Sequence, residues 1–163
     1  MELNLKGRVA VITGPAKGMG AAVTLGFARE GCRLALIGRD VAAIEPVVVE
    51  ARALGAEAIV IACDITSGVA CEAAMEKTRA SFGGRIDILV NVAGGSGPIG
   101  KTGWETTEEE FDEIVHLNMR GCFNTMRQRI YPRNIHNDRS SLQLQINRFL
   151  TIDLRRLNGA KPI

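Results

Sequence analysis

The chain has 163 residues, of which 46% are hydrophobic and 23% charged, with a formal net charge of +2. That length suits one domain with a real core, and that balance is ordinary for a soluble globular protein. So small a net charge gives no reason to expect a nucleic-acid or membrane partner, and without a basic-then-apolar leader or an apolar run of about 20 residues a cytoplasmic protein is expected.

The charge is unevenly placed. Residues 1–126 carry a net −4 and residues 127–163 a net +6, an asymmetry that flags a tail or a join. Cys32, Cys63, Cys71 and Cys122 form no Cys-x-x-Cys pair, and His116 and His136 are not grouped near them, so no metal site is expected. Singly buried thiols suit a reducing compartment.

Taken in order, "RVAVIT" (Arg8–Thr13) is a short β-branched run ended by Gly14 and reads as a buried parallel strand. Gly18 to Glu30 reads as a helix closed by Gly31. "RLALIG" (Arg33–Gly38) is a second strand, and Val41 to Leu54 a second helix in which Pro46 is a conflict. "EAIVIA" (Glu57–Ala62) is a third strand. Thr66 to Phe82 is a third helix, capped by Thr66 or Ser67. "RIDILVNVAG" (Arg85–Gly94) holds a fourth strand and runs into the glycine-rich "GGSGPIGKTG". Thr106 with Glu109, or Thr107 with Glu110, forms a capping box that opens a fourth helix running to about Arg127. Strand–helix alternation with short connections predicts a doubly wound parallel sheet, Rossmann-like but incomplete, of about four strands in the order 3-2-1-4.

"TGPAKGMG" (Thr13–Gly20) lies between the first strand and the first helix. Gly14 turns the chain off the strand. Gly18 and Gly20 lack a Cβ, so a pyrophosphate and the neighbouring strand can come close. The backbone N–H groups of the first helical turn, Met19 among them, point where phosphates would sit.

The Gly-x-x-x-Gly-x-Gly spacing, followed by "CDIT" (Cys63–Thr66), "NVAG" (Asn91–Gly94) and "LNMRG" (Leu117–Gly121), resembles the short-chain dehydrogenase/reductase family over residues 5 to about 127. The resemblance implies an oxidoreductase that moves hydride between a nicotinamide dinucleotide and a small carbonyl or secondary alcohol. It implies that Asp64, with Ile65 beside it, contacts the adenine. Asn91, Ala93 and Gly94 line the nicotinamide-side ribose, and Asn118 matches the active-site asparagine. The family often has two asparagines before Ala-Gly, and here the second is Val92.

The end of the second strand selects the cofactor. An acidic residue there would bond the ribose 2′-hydroxyl of NAD. Here Gly38 is followed by Arg39 and Asp40. Arg39 can meet a 2′-phosphate with a bidentate fork, and Lys17 can add a second positive charge, which favours NADP(H) over NAD(H). Asp40 is the counter-argument: were the strand two residues longer, it could face the ribose.

The family's acid/base is a Tyr-x-x-x-Lys pair on a fifth helix, with a serine after the fifth strand. The single tyrosine, Tyr131, is followed by Pro132 and, four residues on, by Ile135. Ser140 and Ser141 follow the loop-like "NIHNDR". After Arg127 there is no valine or glutamate, and alanine falls to Ala160. The expectation is therefore a cofactor-binding portion over residues 1–127 and an Arg/Asn-rich tail over 128–163, produced either by an interruption near Arg127, such as a frameshift, splice change or misread gene, or by evolution of a tail on a genuine short relative. The chain alone is expected to be inactive: a binding module for NADP(H), or a remnant. Within the tail "LQLQIN" alternates as a weak strand and "RFLTIDLRRLNG" reads as a short amphipathic helix. Unless the tail covers it, the fourth strand would be an exposed edge, and self-association is expected. Trp104 either borders a substrate pocket or packs under the glycine-rich loop.

Overall fold

A computed structural model describes residues 3–128 and the backbone of residues 142–146 and 150–152. Strands β1 (Val9–Thr13), β2 (Arg33–Gly38), β3 (Ala58–Ala62) and β4 (Ile88–Asn91) are parallel, in the order β3-β2-β1-β4. The β1 residues Val9 to Thr13 are wholly buried, as a strand covered on both faces must be. Val9 and Val11 of β1 face one core with Ala35, Ile61, Met75 and Phe82. Ala10 and Ile12 face the other, with Leu34, Leu36, Ile44 and Val48. The period-2 alternation thus feeds two apolar layers.

Helices α1 (Gly18–Arg29) and α2 (Val41–Ala53) pack on each other, while α3 (Gly68–Ser81) packs against α5 (Gly121–Met126), the end of the fourth helical run. Asp40 caps α2 by accepting from Ala43 N at 3.0 Å, and Ser67, rather than Thr66, caps α3. Pro46 is accommodated inside α2. It is the sixth residue of the helix, past the N–H groups of the first turn that lack intrahelical partners, so it costs the one bond its N–H would make to Ala42 O. Of the two capping boxes considered, Thr107 with Glu110 is the one that forms. The fourth helical run is not uniform. It is α4 (Glu108–Val115), then a π-helical turn His116–Arg120, then α5.

Two departures from expectation lie in the last part of the chain. The weak strand read in "LQLQIN" forms as β5 (Leu142–Ile146), and it extends the sheet beyond four strands by lying parallel to β4, pairing Ile88 with Leu142 and Val90 with Leu144. The fourth strand is therefore not an edge. The second departure is β6 (Leu150–Ile152), antiparallel to β5, where part of an amphipathic helix was expected. Three residues separate the two strands, a hairpin length, and the open edge of β5 supplies backbone partners that a helix could not use. The rest of the "RFLTIDLRRLNG" stretch, with Tyr131, Ser140 and Ser141, lies outside the described residues. Among the described residues no helix is long and apolar enough to cross a membrane, and no three His, Cys, Asp or Glu side chains are grouped to hold a metal.

The amino end of the sheet is pinned by Asp87. Its carboxylate accepts from Val9 N at 2.8 Å and Arg8 at 3.2 Å, and also pairs with Arg85. Burial pushes this carboxyl up, but the hydrogen bonds from Arg85, Val9 and Arg8 outweigh it and hold it below the ordinary carboxylate range. A depressed folded-state value means that the stabilisation is complete above the unfolded value of about 4 and is lost as pH falls through the folded one. Thermal melts should therefore show Asp87→Asn less stable than the parent at pH 7, with the gap closing below about pH 4. A gap unchanged by pH would remove the charge from the explanation.

Candidate dinucleotide site

All the family motifs meet at the carboxyl ends of β1 to β4. The loop after β1 leaves the strand at Gly14 (φ 67°), whose N–H still donates to Ile37 O at 2.9 Å. A Cβ on Gly14 would stand 2.7 Å from Ala93 Cα, so the loop presses directly on the backbone after β4. A Cβ on Gly20 would stand 2.0 Å from Gly14 O. At Gly18 (φ 54°) a Cβ would meet nothing within 4 Å, so this position faces open space. Two glycines thus serve tight packing, and one serves backbone conformation beside an open volume.

Helix α1 starts at this open volume. Its N-cap, Lys17, makes no side-chain cap, whereas α2, α3 and α4 are capped by Asp40, Ser67 and Thr107. The first N–H groups of α1, at Gly18, Met19 and Gly20, therefore lack the side-chain acceptor that the other three helices have. A phosphate supplies such an acceptor, and the helix dipole favours it there. Lys17, Gly18 and Met19 are exposed around this point.

Asn91, at the end of β4, is 1% exposed. Its Oδ1 lies 2.7 Å from Thr125 Oγ1 and 3.5 Å from Thr13 Oγ1. Thr13 Oγ1 accepts from Val92 N and Ala93 N, both at 3.2 Å. Asn91 and Ala93 are thus tied to the end of β1 and to α5. Val92 packs against the core rather than needing a polar partner.

Asn118 sits in the π-helical turn. Its Nδ2 donates to Ile114 O at 2.9 Å and to Gly95 O at 3.0 Å, and its Oδ1 accepts from Gly95 N at 3.1 Å. A side chain competing for the Ile114 carbonyl is a recognised cause of such helix irregularity. A Cβ on Gly94 would lie 2.5 Å from Asn118 Oδ1, so that position must be glycine for the clasp to close. Asn118 and Gly94 are brought together.

Asp64 follows β3. Its Oδ1 accepts from Thr66 N at 2.9 Å and Thr66 Oγ1 at 2.8 Å, and those bonds hold its carboxyl below the usual range. Ile65 is buried against Gly121 of α5. Arg39 and Asp40 are exposed directly after β2, which ends at Gly38. All four cysteines are buried, and Cys71 donates to Ile65 O at 3.4 Å. Trp104 is 87% exposed in a short 3₁₀ turn (Gly103–Glu105), so it does not pack under the glycine-rich loop.

Sequence reasoning missed Thr13, Asn124 and Thr125 as parts of this arrangement. Thr13 carried a signal, a hydroxyl at the last strand position before the glycine turn. Asn124 and Thr125 carried none, because their partners lie 34 to 59 residues away.

The family model described as short chain dehydrogenase matches residues 8–134. A short chain dehydrogenase/reductase, AacuN, from Aspergillus aculeatus is 38% identical over 127 residues, covering 76% of this chain and 46% of that protein. An actinorhodin polyketide ketoreductase crystallised with NADPH is similar at 30% identity and TM-score 0.69, covering 75% of this chain and 46% of that one. A 3-ketoacyl-(acyl-carrier-protein) reductase from Brucella melitensis, complexed with NADH, is similar at 36% identity and TM-score 0.67, covering 76% and 49%. The chain spans about half the length of the curated relatives that it matches. With the match reaching across β1 to α5 and through every motif of the site, the chain belongs to the short-chain dehydrogenase family.

Proposed function

We propose that residues 1–127 form the nicotinamide-dinucleotide-binding portion of a short-chain oxidoreductase acting on a small carbonyl or secondary alcohol, with NADP(H) preferred over NAD(H). The observation that carries this is the side-chain-uncapped start of α1, opening at Gly18 beside the braced Asn91–Gly94 segment. The residues present fit the group: an anion-ready helix start, glycines where the chain is crowded, and open space where phosphates would lie.

In this reading Gly18, Met19 and Gly20 hold the pyrophosphate through backbone N–H groups, and Gly14 sets the loop. Asp64 and Ile65 border the adenine, while Asn91, Ala93 and Gly94 line the nicotinamide-side ribose. Arg39 and Lys17 meet the 2′-phosphate. The N-cap role of Asp40 supports this, because its carboxylate is engaged with Ala43 N. The bound dinucleotide would supply or accept hydride. Asn118 contributes by locking the loop after β4 against the helix, so the nicotinamide side is bordered by a fixed wall.

These 163 residues contain no Tyr-x-x-x-Lys. General acid/base catalysis of carbonyl reduction needs a proton donor within hydrogen-bond reach of the substrate oxygen. We therefore take residues 128–163 as a separate segment that does not restore the family's chemistry, and the chain alone as a binder without turnover. Fluorescence titration should show NADPH binding more tightly than NADH, and a carbonyl-substrate panel should show no cofactor-dependent reduction. Equal affinities would remove the NADP(H) preference, absence of binding would leave a remnant, and turnover would require a proton donor other than Tyr-x-x-x-Lys.

A further inference from the structure

Asn124 has no place in the motifs, yet it is 4% exposed, and its Nδ2 donates to Ile65 O at 3.0 Å and to Thr66 O at 2.9 Å. One side-chain amide thus satisfies two consecutive carbonyls of the loop after β3. Other contacts converge there. Gly121, one turn earlier on α5, packs so closely on Ile65 that a Cβ would stand 2.6 Å from its Cδ1. Gln128, one turn later, donates to Gly68 O at 3.4 Å. Asp64 Oδ1 closes the loop on its own Thr66 N. The same helical run holds the loop after β4 through Asn118.

We propose that Asn124 is the positioning residue of the adenine subsite. By fixing the Ile65 and Thr66 carbonyls it sets where Asp64 and Ile65 stand, and it couples that loop to the helix that carries Asn118. The inference rests on reading Asp64 and Ile65 as adenine contacts. Both loop carbonyls face a buried amide, and removing the amide leaves them without those bonds while opening space behind Ile65. The loop then samples positions in which Asp64 no longer presents its carboxylate to one place, and the free energy of ordering it falls on the ligand.

The experiment compares the full chain with Asn124→Ala, using NADPH, ADP as the adenine half and reduced nicotinamide mononucleotide as the other half, by calorimetric titration. NADPH and ADP should each weaken about tenfold, the loss expected for one buried and one part-buried hydrogen bond, with the nicotinamide half unchanged. Hydrogen exchange at the Thr66 and Ser67 amides should speed up in parallel. If Asn124→Ala fails to melt cooperatively, Asn124→Ser is carried through the same comparison. Equal weakening of both halves would mean a general structural role and overturn the proposal, as would unchanged ADP binding. If the parent chain binds neither NADPH nor ADP, the cofactor reading fails and takes this inference with it. If it binds both and the variant matches it, the role of Asn124 alone fails.

Discussion

Replacing Gly14 by alanine should cost about 3 kcal/mol of stability, lowering the melting temperature by roughly 10 °C, and should abolish measurable NADPH binding. Two costs combine. Gly14 sits at φ 67°, the left-handed region, where a Cβ costs about 1–2 kcal/mol. The added atom would also stand 2.7 Å from Ala93 Cα and 2.8 Å from Ala93 N. Both are backbone atoms, and Ala93 N is held by the Thr13 hydroxyl, so they cannot step aside as a flexible side chain would. Overpacking of this kind costs about 1–3 kcal/mol. The matched control is Gly18→Ala, also at positive φ but with nothing within 4 Å of its Cβ. It should lose less stability, only the conformational cost, and still bind NADPH poorly, because its methyl occupies the volume assigned to phosphate. Chemical denaturation with cofactor titration separates the two effects. A Gly14→Ala chain as stable as Gly18→Ala would mean that the contact between the two loops is not as tight as described.

Arg39→Ala should weaken NADPH binding by about 10- to 100-fold and leave NADH binding unchanged, the loss expected when a charge-assisted fork to phosphate is removed. Arg39 is exposed directly after β2, with its guanidinium unburdened by burial. For that reason the NADPH advantage should also shrink as ionic strength rises. Asp40 supplies the decisive contrast. Its carboxylate caps α2, so Asp40→Ala should cost about 1 kcal/mol of stability with little change in NADH affinity. Were Asp40→Ala instead to weaken NADH sharply and Arg39→Ala to leave NADPH alone, the preference would reverse. The cap would then be a secondary role of a ribose ligand.

Much of the strand–helix architecture was legible because its signals are local. Short apolar runs such as "VAVIT" and "LALI", each closed by a glycine or a short turn, can be read as strands without knowing their neighbours. The β1 loop could be read in detail because glycine is required there for reasons of φ and contact, and no other residue carries that information. Asp64, Asn91 and Asn118 were found through motif resemblance. Their partners were not, since Thr125 and Asn124 are ordinary helix residues until the helix is laid against β4 and the β3 loop. The π-helical turn was invisible for a similar reason. It accompanies a bond from Asn118 to Gly95, 23 residues away, that no helical periodicity announces. The last strand shows the opposite failure, while "LQLQIN" was read as the strand it forms. "LTI" can serve a helix or a strand, and the choice fell to the strand because β5 offered it an edge.

The sequence by itself determined the alternation of strands and helices and the glycine turn into α1, since each depends on residues within a turn or two of one another. Tertiary structure alone decided that β5 covers β4, that Asn118 clasps the loop after β4, and that Asn124 holds the loop after β3. Those contacts join segments more than twenty residues apart. Their strength comes from burial and backbone hydrogen bonding that exist only once the chain has closed on itself, and no local pattern encodes them.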